Sequence, residues 1–316
     1  MVSVPPLLVL VGPTAVGKTG VAVRLAGHLP IEVVSADSRQ VYRGMDIGTG
    51  KPTREERAAV PHHLLDVVHP GERYHAARFR ADALVAIAAI RSRGRLPLVV
   101  GGTGLYVRAL LKGLRPGPPA DPALRETLER FVAAHGAPAL HARLAAVAPE
   151  VAGRLHPNDR IRIVRALEIH ARPGAVTADT GQGNWDTTPA AWRFLMIGLG
   201  RKRPALNQAI AERARVMVTR GMMEEVTRLL DAGYDPERPP MDGIGYRPFV
   251  LASRGRIPVD EALRLMIRDT TRYAKRQMTW FARDPEIRWL DVDEAGGIDG
   301  AAETVLKQIT QEGLTE

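Results

Sequence analysis

Gly12 to Thr19 reads G-P-T-A-V-G-K-T, and residues of these types at this spacing can hold a chain of phosphates. The glycines let the backbone curl until its N–H groups converge on an anion, Lys18 adds a mobile cation, and Thr19 offers a hydroxyl to Mg²⁺. Pro13, Thr14, Ala15, Val16 and Gly17 complete the loop. The loop alone does not choose a reaction, because a nucleoside triphosphate and any diphosphate leaving group present the same oxygens. Asp37 is the next chemical group. It ends the run IEVVSADS, Ile31 to Ser38, where a carboxylate could hold Mg²⁺ through water, act as a general base, or cap the following turn. Thr103, in the Gly101-Gly102-Thr103 turn, has two open readings as well, a ligand contact or a glycine turn made for close packing.

These groups need strands to carry them. LLVLV precedes the phosphate loop, IEVVS precedes Asp37, and LPLVV precedes Gly101; all three are continuous apolar runs, the pattern of strands buried on both faces in a parallel sheet. Ligands of such sheets bind at the carboxyl ends of the strands, which would place all three motifs together. A polar, glycine-containing stretch through Pro52 reads as loop, His75 to Arg93 as an amphipathic helix, and RFLMIGL as a strand returning to the sheet. Between Arg115 and Pro189 the sequence reads as short helices broken at Pro138, Pro149, Pro157 and Pro173, with TGQGNW a loop. NQAIAERARVMVTRGMMEEVTRLL reads as one helix, on which Arg213 and Arg215 either face phosphate or pair with acids. The expected fold is therefore α/β, a parallel sheet flanked by helices with a helical insertion.

Two segments are basic. In HPNDRIRIVRALEIH, Arg162 and Arg165 share one face of a helix capped by Asn158 or Asp159, with Glu168 as an acidic partner. In RLMIRDTTRYAKRQMTWFARD, Arg264, Arg268, Arg272 and Arg276 recur every fourth residue, opposed within the helix only by Asp269. Such a stripe matches a run of phosphates, and Tyr273, Trp280 and Phe281 could stack on unpaired bases; the competing reading pairs the arginines with neighbouring acids and buries the aromatics. His62 and His63 have no third ligand at a diagnostic spacing and read as ordinary hydrogen-bonded histidines.

Composition agrees with an anionic partner. The 316 residues carry a formal charge of +9, with a pI near 10.2, which fits nucleic acid, polyphosphate or an acidic surface. With no cysteine, disulfides and thiolate catalysis are excluded. The chain enters a strand almost at once and shows no run long enough to span a bilayer, so a soluble cytoplasmic protein that does not engage membranes is expected.

GPTAVGKT, SADSRQVYRGMDIGTGKP, PHHLLD, GGTGLY, HPNDRIRIVRALE, GIGYR and AKRQMTWF, in this order over nearly the whole chain, resemble the tRNA dimethylallyltransferase family. The resemblance implies transfer of a dimethylallyl group from dimethylallyl diphosphate to N6 of the adenine 3′ of the anticodon. It implies a P-loop NTPase-like α/β core, residues 1–114 and 191–316, and a helical insertion, residues 115–190, that contacts tRNA. By similarity, Gly12 to Thr19 and Arg213 bind the donor diphosphate rather than ATP, with Mg²⁺ at Thr19. Asp37 matches the family's general base, and Thr103 contacts the same nucleotide. Asp37, Ser38, Arg39, Gln40, Arg125, Ile161, Arg162, Ile163, Val164, Arg165, Asp242, Gly243, Ile244, Gly245, Tyr246 and Arg247 match segments that touch tRNA. Arg272 and Arg276 join them from the basic stripe. The anticodon stem-loop is the expected partner and a monomer the expected state.

The chain departs from the family where N-D-R-I-R replaces the usual N-D-P-Q-R at Arg160 and Ile161, and where Gly50 makes GTGKP of GTAKP. Arg162 and Arg165 are expected to keep their phosphate contacts. A small-metabolite kinase and an RNA-binding nucleotide switch are the rival readings. The kinase predicts ATP turnover without RNA, and the switch predicts binding without a covalent product.

Overall fold

The computed structural model describes residues 6–114, 120–171 and 193–314; TGQGNW and Pro173 lie outside them. The chain divides into two compact units, Met1–Lys112 with Ala190–Glu316, and Gly113–Pro189.

The first unit is built on six parallel strands: β1 (Pro6–Val11), β2 (Ile31–Ser35), β3 (His62–His63), β4 (Leu96–Gly101), β5 (Arg193–Gly200) and β6 (Ile287–Asp291), in the order β3-β2-β4-β1-β5-β6. The apolar runs behave as their continuity predicts. Leu8 and Leu10 of β1 enter the core on one face and Leu7, Val9 and Val11 the core on the other, each such side chain contributing about 1.5–3 kcal/mol by leaving water. Helices α1 (Lys18–Ala26), α2 (Arg54–Ala59), α3 (Ala76–Ser92) and α4 (Gly104–Lys112) follow the first strands. Thr53 and Glu56 close a capping box on α2, and His75 caps α3.

The second unit contains α5 (Pro122–Val147), α6 (Pro149–Ala152) and α7 (Arg160–His170). Its core includes Leu128, Leu140, Leu144, Leu155, Ile163 and Leu167. The expected break at Pro138 falls instead at Gly136, whose φ of 81° leaves the helical region, so that Pro138 sits in the first turn of the resumed helix where its missing N–H costs nothing.

The first unit resumes with α8 (Arg203–Thr219), α9 (Met222–Asp231), α10 (Arg247–Ser253), α11 (Val259–Phe281) and α12 (Gly297–Gln311). Residues 207–230, read as one helix, are two. Gly221 adopts a left-handed φ of 96°, ending α8 and starting α9. Helices α8 to α11 close a third core with Val41, Tyr42, Met45 and Val68 from the loops after β2 and β3. No helix among the described residues is long and apolar enough to cross a membrane.

Candidate active site

The sheet brings three loops to one edge. Val11 is in register with Gly101, and Ser35 with Val100, so the phosphate loop, the Asp37 segment and the Gly101-Gly102-Thr103 turn leave adjacent strands side by side. They open into a cavity of about 790 Å³, within the range of small-molecule sites. Thr14, Ala15, Gly17, Lys18 and Thr19 line its floor, Asp37 to Gln40 one side, and Arg213 the wall provided by α8. Asp242 to Tyr246 and, from α11, Tyr273, Arg276 and Gln277 complete it.

The loop has the backbone its glycines foretell. Gly12 and Gly17 take φ of 146° and 108°, and a Cβ on Gly12 would stand 2.5 Å from the Leu199 carbonyl oxygen. Lys18 Nζ donates to the carbonyls of Gly12 and Pro13 at 2.9 and 2.7 Å. Arg213 Nη1 donates to Thr14 Oγ1 at 3.3 Å and Nη2 to the Gly50 carbonyl at 3.0 Å. Removal from water pushes the Lys18 ammonium down to about 7; nearby Asp37 opposes that shift and Arg213 adds to it. Burial lowers the Arg213 guanidinium too. Two cations withdrawn from water beside a nest of N–H groups are a site that gains most from an anion. Gly12, Pro13 and Val16 are buried and do not line the cavity, and the Val16 side chain is fully enclosed in the core, so only its backbone can serve a ligand.

Asp37 lies two residues past the end of β2. Its Oδ1 accepts from the backbone N–H of Arg39 at 2.8 Å and of Gln40 at 3.3 Å, which fixes the carboxylate by its own turn. Thr103 Oγ1 accepts from Ser38 N–H at 3.0 Å, tying that turn to β4. Gly101 is needed beneath it, since a Cβ there would lie 2.2 Å from the Ala36 carbonyl oxygen.

The arginine stripe is more heavily paired than its sequence suggests. Arg264 is held by Glu261 at 2.5 Å, an acid of the same helix one turn earlier, and Asp269 engages Arg268 at 2.8 Å and Arg272 at 3.4 Å. Arg276 reaches the cavity and lies 5.7 Å from the centre of the Tyr273 ring. Phe281 is buried in the core and cannot stack on a base, and Trp280 packs against the same core. On α8, Arg215 is exposed on the side away from Arg213. His62 Nδ1 lies 2.8 Å from the Val60 carbonyl oxygen, and His63 Nε2 meets the Glu32 carboxylate at 2.6 Å. No cluster of three His, Cys, Asp or Glu able to hold a metal occurs among the described residues.

Of the residues expected to touch tRNA, Ile163 and Val164 are corrected by burial: both side chains fill the core of the second unit. Tyr246 is likewise enclosed, its hydroxyl donating to Glu225 at 2.8 Å, and Gly243 is buried. Arg125 forms a two-pronged pair with buried Glu168 at 2.6 and 2.7 Å, and Arg165 joins that carboxylate at 3.3 Å. Arg162 pairs with its helix cap Asp159 at 2.5 Å. Ile161 is 83% exposed, and Asp242, Arg247 and Arg272 are exposed as well.

Sequence reasoning missed two buried polar groups beside the site. Lys51 Nζ donates to Asp46 and Asp66, each at 2.6 Å, and to the Tyr42 carbonyl at 2.7 Å. Glu225 accepts from the N–H groups of Asp46, Ile47 and Gly48 at 2.9, 2.9 and 3.0 Å, fixing the loop whose Gly50 carbonyl meets Arg213. An acid in the first turn of an amphipathic helix gives no sign that it reaches a loop about 180 residues away. We expect Glu225→Ala to destabilise the protein by about 3 kcal/mol, because it removes the partner of three backbone donors and strands the buried Tyr246 hydroxyl; chemical denaturation reads this, and a change below about 1 kcal/mol would contradict it.

Comparison with known proteins places this geometry. Residues 40–284 match the family model described as IPP transferase and residues 5–66 that described as Isopentenyl transferase. The chain is 46% identical over 308 residues to a tRNA dimethylallyltransferase of Desulforudis audaxviator, spanning 98% of this chain and 99% of the relative. It is 52% identical over 287 residues to tRNA dimethylallyltransferase 1 of Syntrophotalea carbinolica, spanning 91% of each. Among solved structures, the tRNA isopentenylpyrophosphate transferase of Bacillus halodurans superposes with a TM-score of 0.69 at 38% identity over 98% of both chains. A eukaryotic dimethylallyltransferase acting on tRNA gives a TM-score of 0.74 at 28% identity, over 91% of this chain and 74% of that one.

Proposed function

The chain belongs to the IPP transferase family and is an enzyme, and from that premise we propose that it transfers a dimethylallyl group from dimethylallyl diphosphate to N6 of the adenine 3′ of the anticodon in tRNA, releasing diphosphate. The observation that carries this reading is one cavity with a phosphate loop and Lys18 at its floor, Arg213 in its wall, both cations drawn from water, and a fixed carboxylate, Asp37, at its side.

The diphosphate sits on the loop, with Lys18 and Arg213 gathering the negative charge that grows on it as the allylic C–O bond breaks. The lone pair of N6 forms the new C–N bond. Asp37 takes the proton that N6 loses; with Oδ1 occupied by two backbone donors, Oδ2 is the oxygen turned to the amine. Thr103 acts by holding Ser38, and so the Asp37 turn, in place. Mg²⁺ fits this site: the Thr19 hydroxyl lines the cavity beside the phosphate loop, and a cation that keeps several waters and prefers phosphate oxygens needs few protein ligands. When bound beside Thr19, it neutralises diphosphate charge.

Acceptor binding falls to the basic surfaces. The target base leaves its stack to reach Asp37, which a single-stranded loop allows at low cost. Arg276 and Tyr273 stand at the cavity, Arg272 is on the exposed side of α11, and the second unit offers Arg162, Arg165 and the exposed Ile161 to the anticodon stem-loop. The protein acts as a monomer in the cytoplasm on this reading.

We expect Arg272→Ala combined with Arg276→Ala to weaken tRNA binding and to make the plot of log affinity against log salt shallower by about 1 to 2 units, one for each phosphate that the protein no longer neutralises. An unchanged slope would assign both arginines to the folded protein alone. The reaction itself is tested by incubating the protein with Mg²⁺, unmodified tRNA and either dimethylallyl diphosphate or ATP, then weighing the nucleosides after digestion. A prenylated adenosine formed only with the diphosphate supports the transferase; ATP consumption without RNA product overturns it.

A further inference from the structure

Gln277 stands on the buried side of α11, the helix whose exposed side carries Arg268 and Arg272, while its neighbour Arg276 lines the same cavity. It is 6% exposed, and both ends of its amide are used. Oε1 accepts from the Thr14 N–H of the phosphate loop at 2.9 Å, and Nε2 donates to the Gly102 carbonyl at 2.9 Å. One side chain thus spans the loops that follow β1 and β4. The backbone is shaped to admit it: a Cβ on Gly102 would lie 2.2 Å from Nε2. That explains the second glycine of the Gly101-Gly102-Thr103 turn by a close approach, where the first is explained by the Ala36 carbonyl.

We propose that Gln277 is a positioning residue for transfer, setting the phosphate loop in register with the turn that holds Asp37. The chain of contacts is short. Thr14 N–H belongs to the donor loop, while Gly102 is bonded to Thr103, whose hydroxyl accepts from Ser38 N–H beside Asp37. Gln277 therefore fixes the separation between the leaving group and the carboxylate without being the acid, base or nucleophile. A planar amide suits the task because it offers one acceptor and one donor at fixed separation. Attack of a weak amine on an allylic carbon is sensitive to that separation, and a misplacement near 1 Å can cost on the order of 100-fold in rate. The same residue ties both loops to α11, so a helix that meets RNA on its outer side is anchored on its inner side to the donor loop.

The inference rests on the proposed transfer reaction, and one assay separates the two. Gln277→Met keeps the length and bulk of the side chain and removes both hydrogen bonds. With saturating dimethylallyl diphosphate and unmodified tRNA, we expect its kcat to fall about 10- to 100-fold, with both KM values within about threefold and the thermal midpoint within a few degrees of the wild type. Gly102→Ala, which pushes on the amide from the other side, should lower kcat similarly, and the double variant should lose little more than either single one, as coupled residues do. A wild-type kcat in Gln277→Met, or losses that multiply in the double variant, would overturn the positioning role. If Gln277→Met loses activity only in proportion to its unfolded fraction, the residue is structural and the proposal fails. No prenylated adenosine from the wild-type protein would instead overturn the transfer reaction.

Discussion

Asp37→Asn is expected to bind tRNA and dimethylallyl diphosphate within severalfold of the wild type and to lose about 10² to 10⁴ in the rate of transfer, the usual contribution of a positioned base. The substitution is chosen for what it preserves. The amide oxygen of asparagine can still accept from the N–H groups of Arg39 and Gln40, which Asp37 Oδ1 meets at 2.8 and 3.3 Å, so the turn and its tie through Ser38 to Thr103 should persist. What disappears is the capacity to take a proton. Asp37→Ala should fall at least as far, with some added loss from loosening the turn. Single-turnover transfer at saturating substrates measures the effect free of product release. Near-normal transfer by Asp37→Asn would mean that the carboxylate only caps the turn, the third of the roles its position allows.

Lys18→Met should lower kcat/KM for the donor by about 10² to 10³, the scale of losing one group that faces developing charge. The free enzyme adds a pH dependence that locates the lysine. Burial holds its ammonium at about 7, so above that pH the empty site is largely neutral at this position. A bound diphosphate favours the charged form and raises the pKa, so binding takes up a proton. The sign follows: Lys18 contributes its full affinity below pH 7 and progressively less as the pH rises, approaching a factor of about 10 per unit until the pKa of the complex is reached. Donor affinity of the wild type relative to Lys18→Met should therefore decline between about pH 7 and 9, and calorimetry in buffers of different ionisation enthalpy should register proton uptake. A ratio independent of pH would place Lys18 outside the diphosphate site.

The parts of this site that could be read in the sequence are those carried by local pattern. The phosphate loop declared itself because its residues, the strand before it and the helix after it are contiguous. Asp37 and Thr103 could be placed at the same sheet edge because buried apolar strands imply a parallel sheet, and the register of β1 with β4 and of β2 with β4 accounts for their meeting. What escaped reading was long-range. Glu225 serves a loop far away in sequence, buried Lys51 is neutralised by the more exposed Asp46 and Asp66, and Gln277 joins two loops of the sheet. Each is an ordinary polar residue until the fold removes water from it. The split of residues 207–230 at Gly221 was concealed by apolar spacing that continues through the break; a glycine in a helical pattern marks a left-handed turn only when the next helix leaves in a new direction. The aromatics of α11 show the opposite case, since periodicity alone could not tell a stacking platform from the core that Phe281 joins.

Charge patterning was the least decisive signal. A period of four placed the arginines correctly along α11, yet Glu261 and Asp269 occupy three of them in the free protein. Exposed pairs of this kind are worth little in water, so RNA phosphates can displace the carboxylates at small cost. On the proposed function, the pairing and the RNA contact would be successive states of one surface.

A crystal structure of the full chain with an anticodon stem-loop RNA, Mg²⁺ and an unreactive thiolo analogue of dimethylallyl diphosphate would display the transfer geometry itself. The diphosphate is expected on the Gly12–Thr19 loop against Lys18 and Arg213, and adenine N6 within about 2.6 to 3.2 Å of an Asp37 carboxylate oxygen. A diphosphate bound away from that loop, or an adenine held beyond reach of Asp37 even through one water, would rule out the proposed roles of both the loop and the carboxylate.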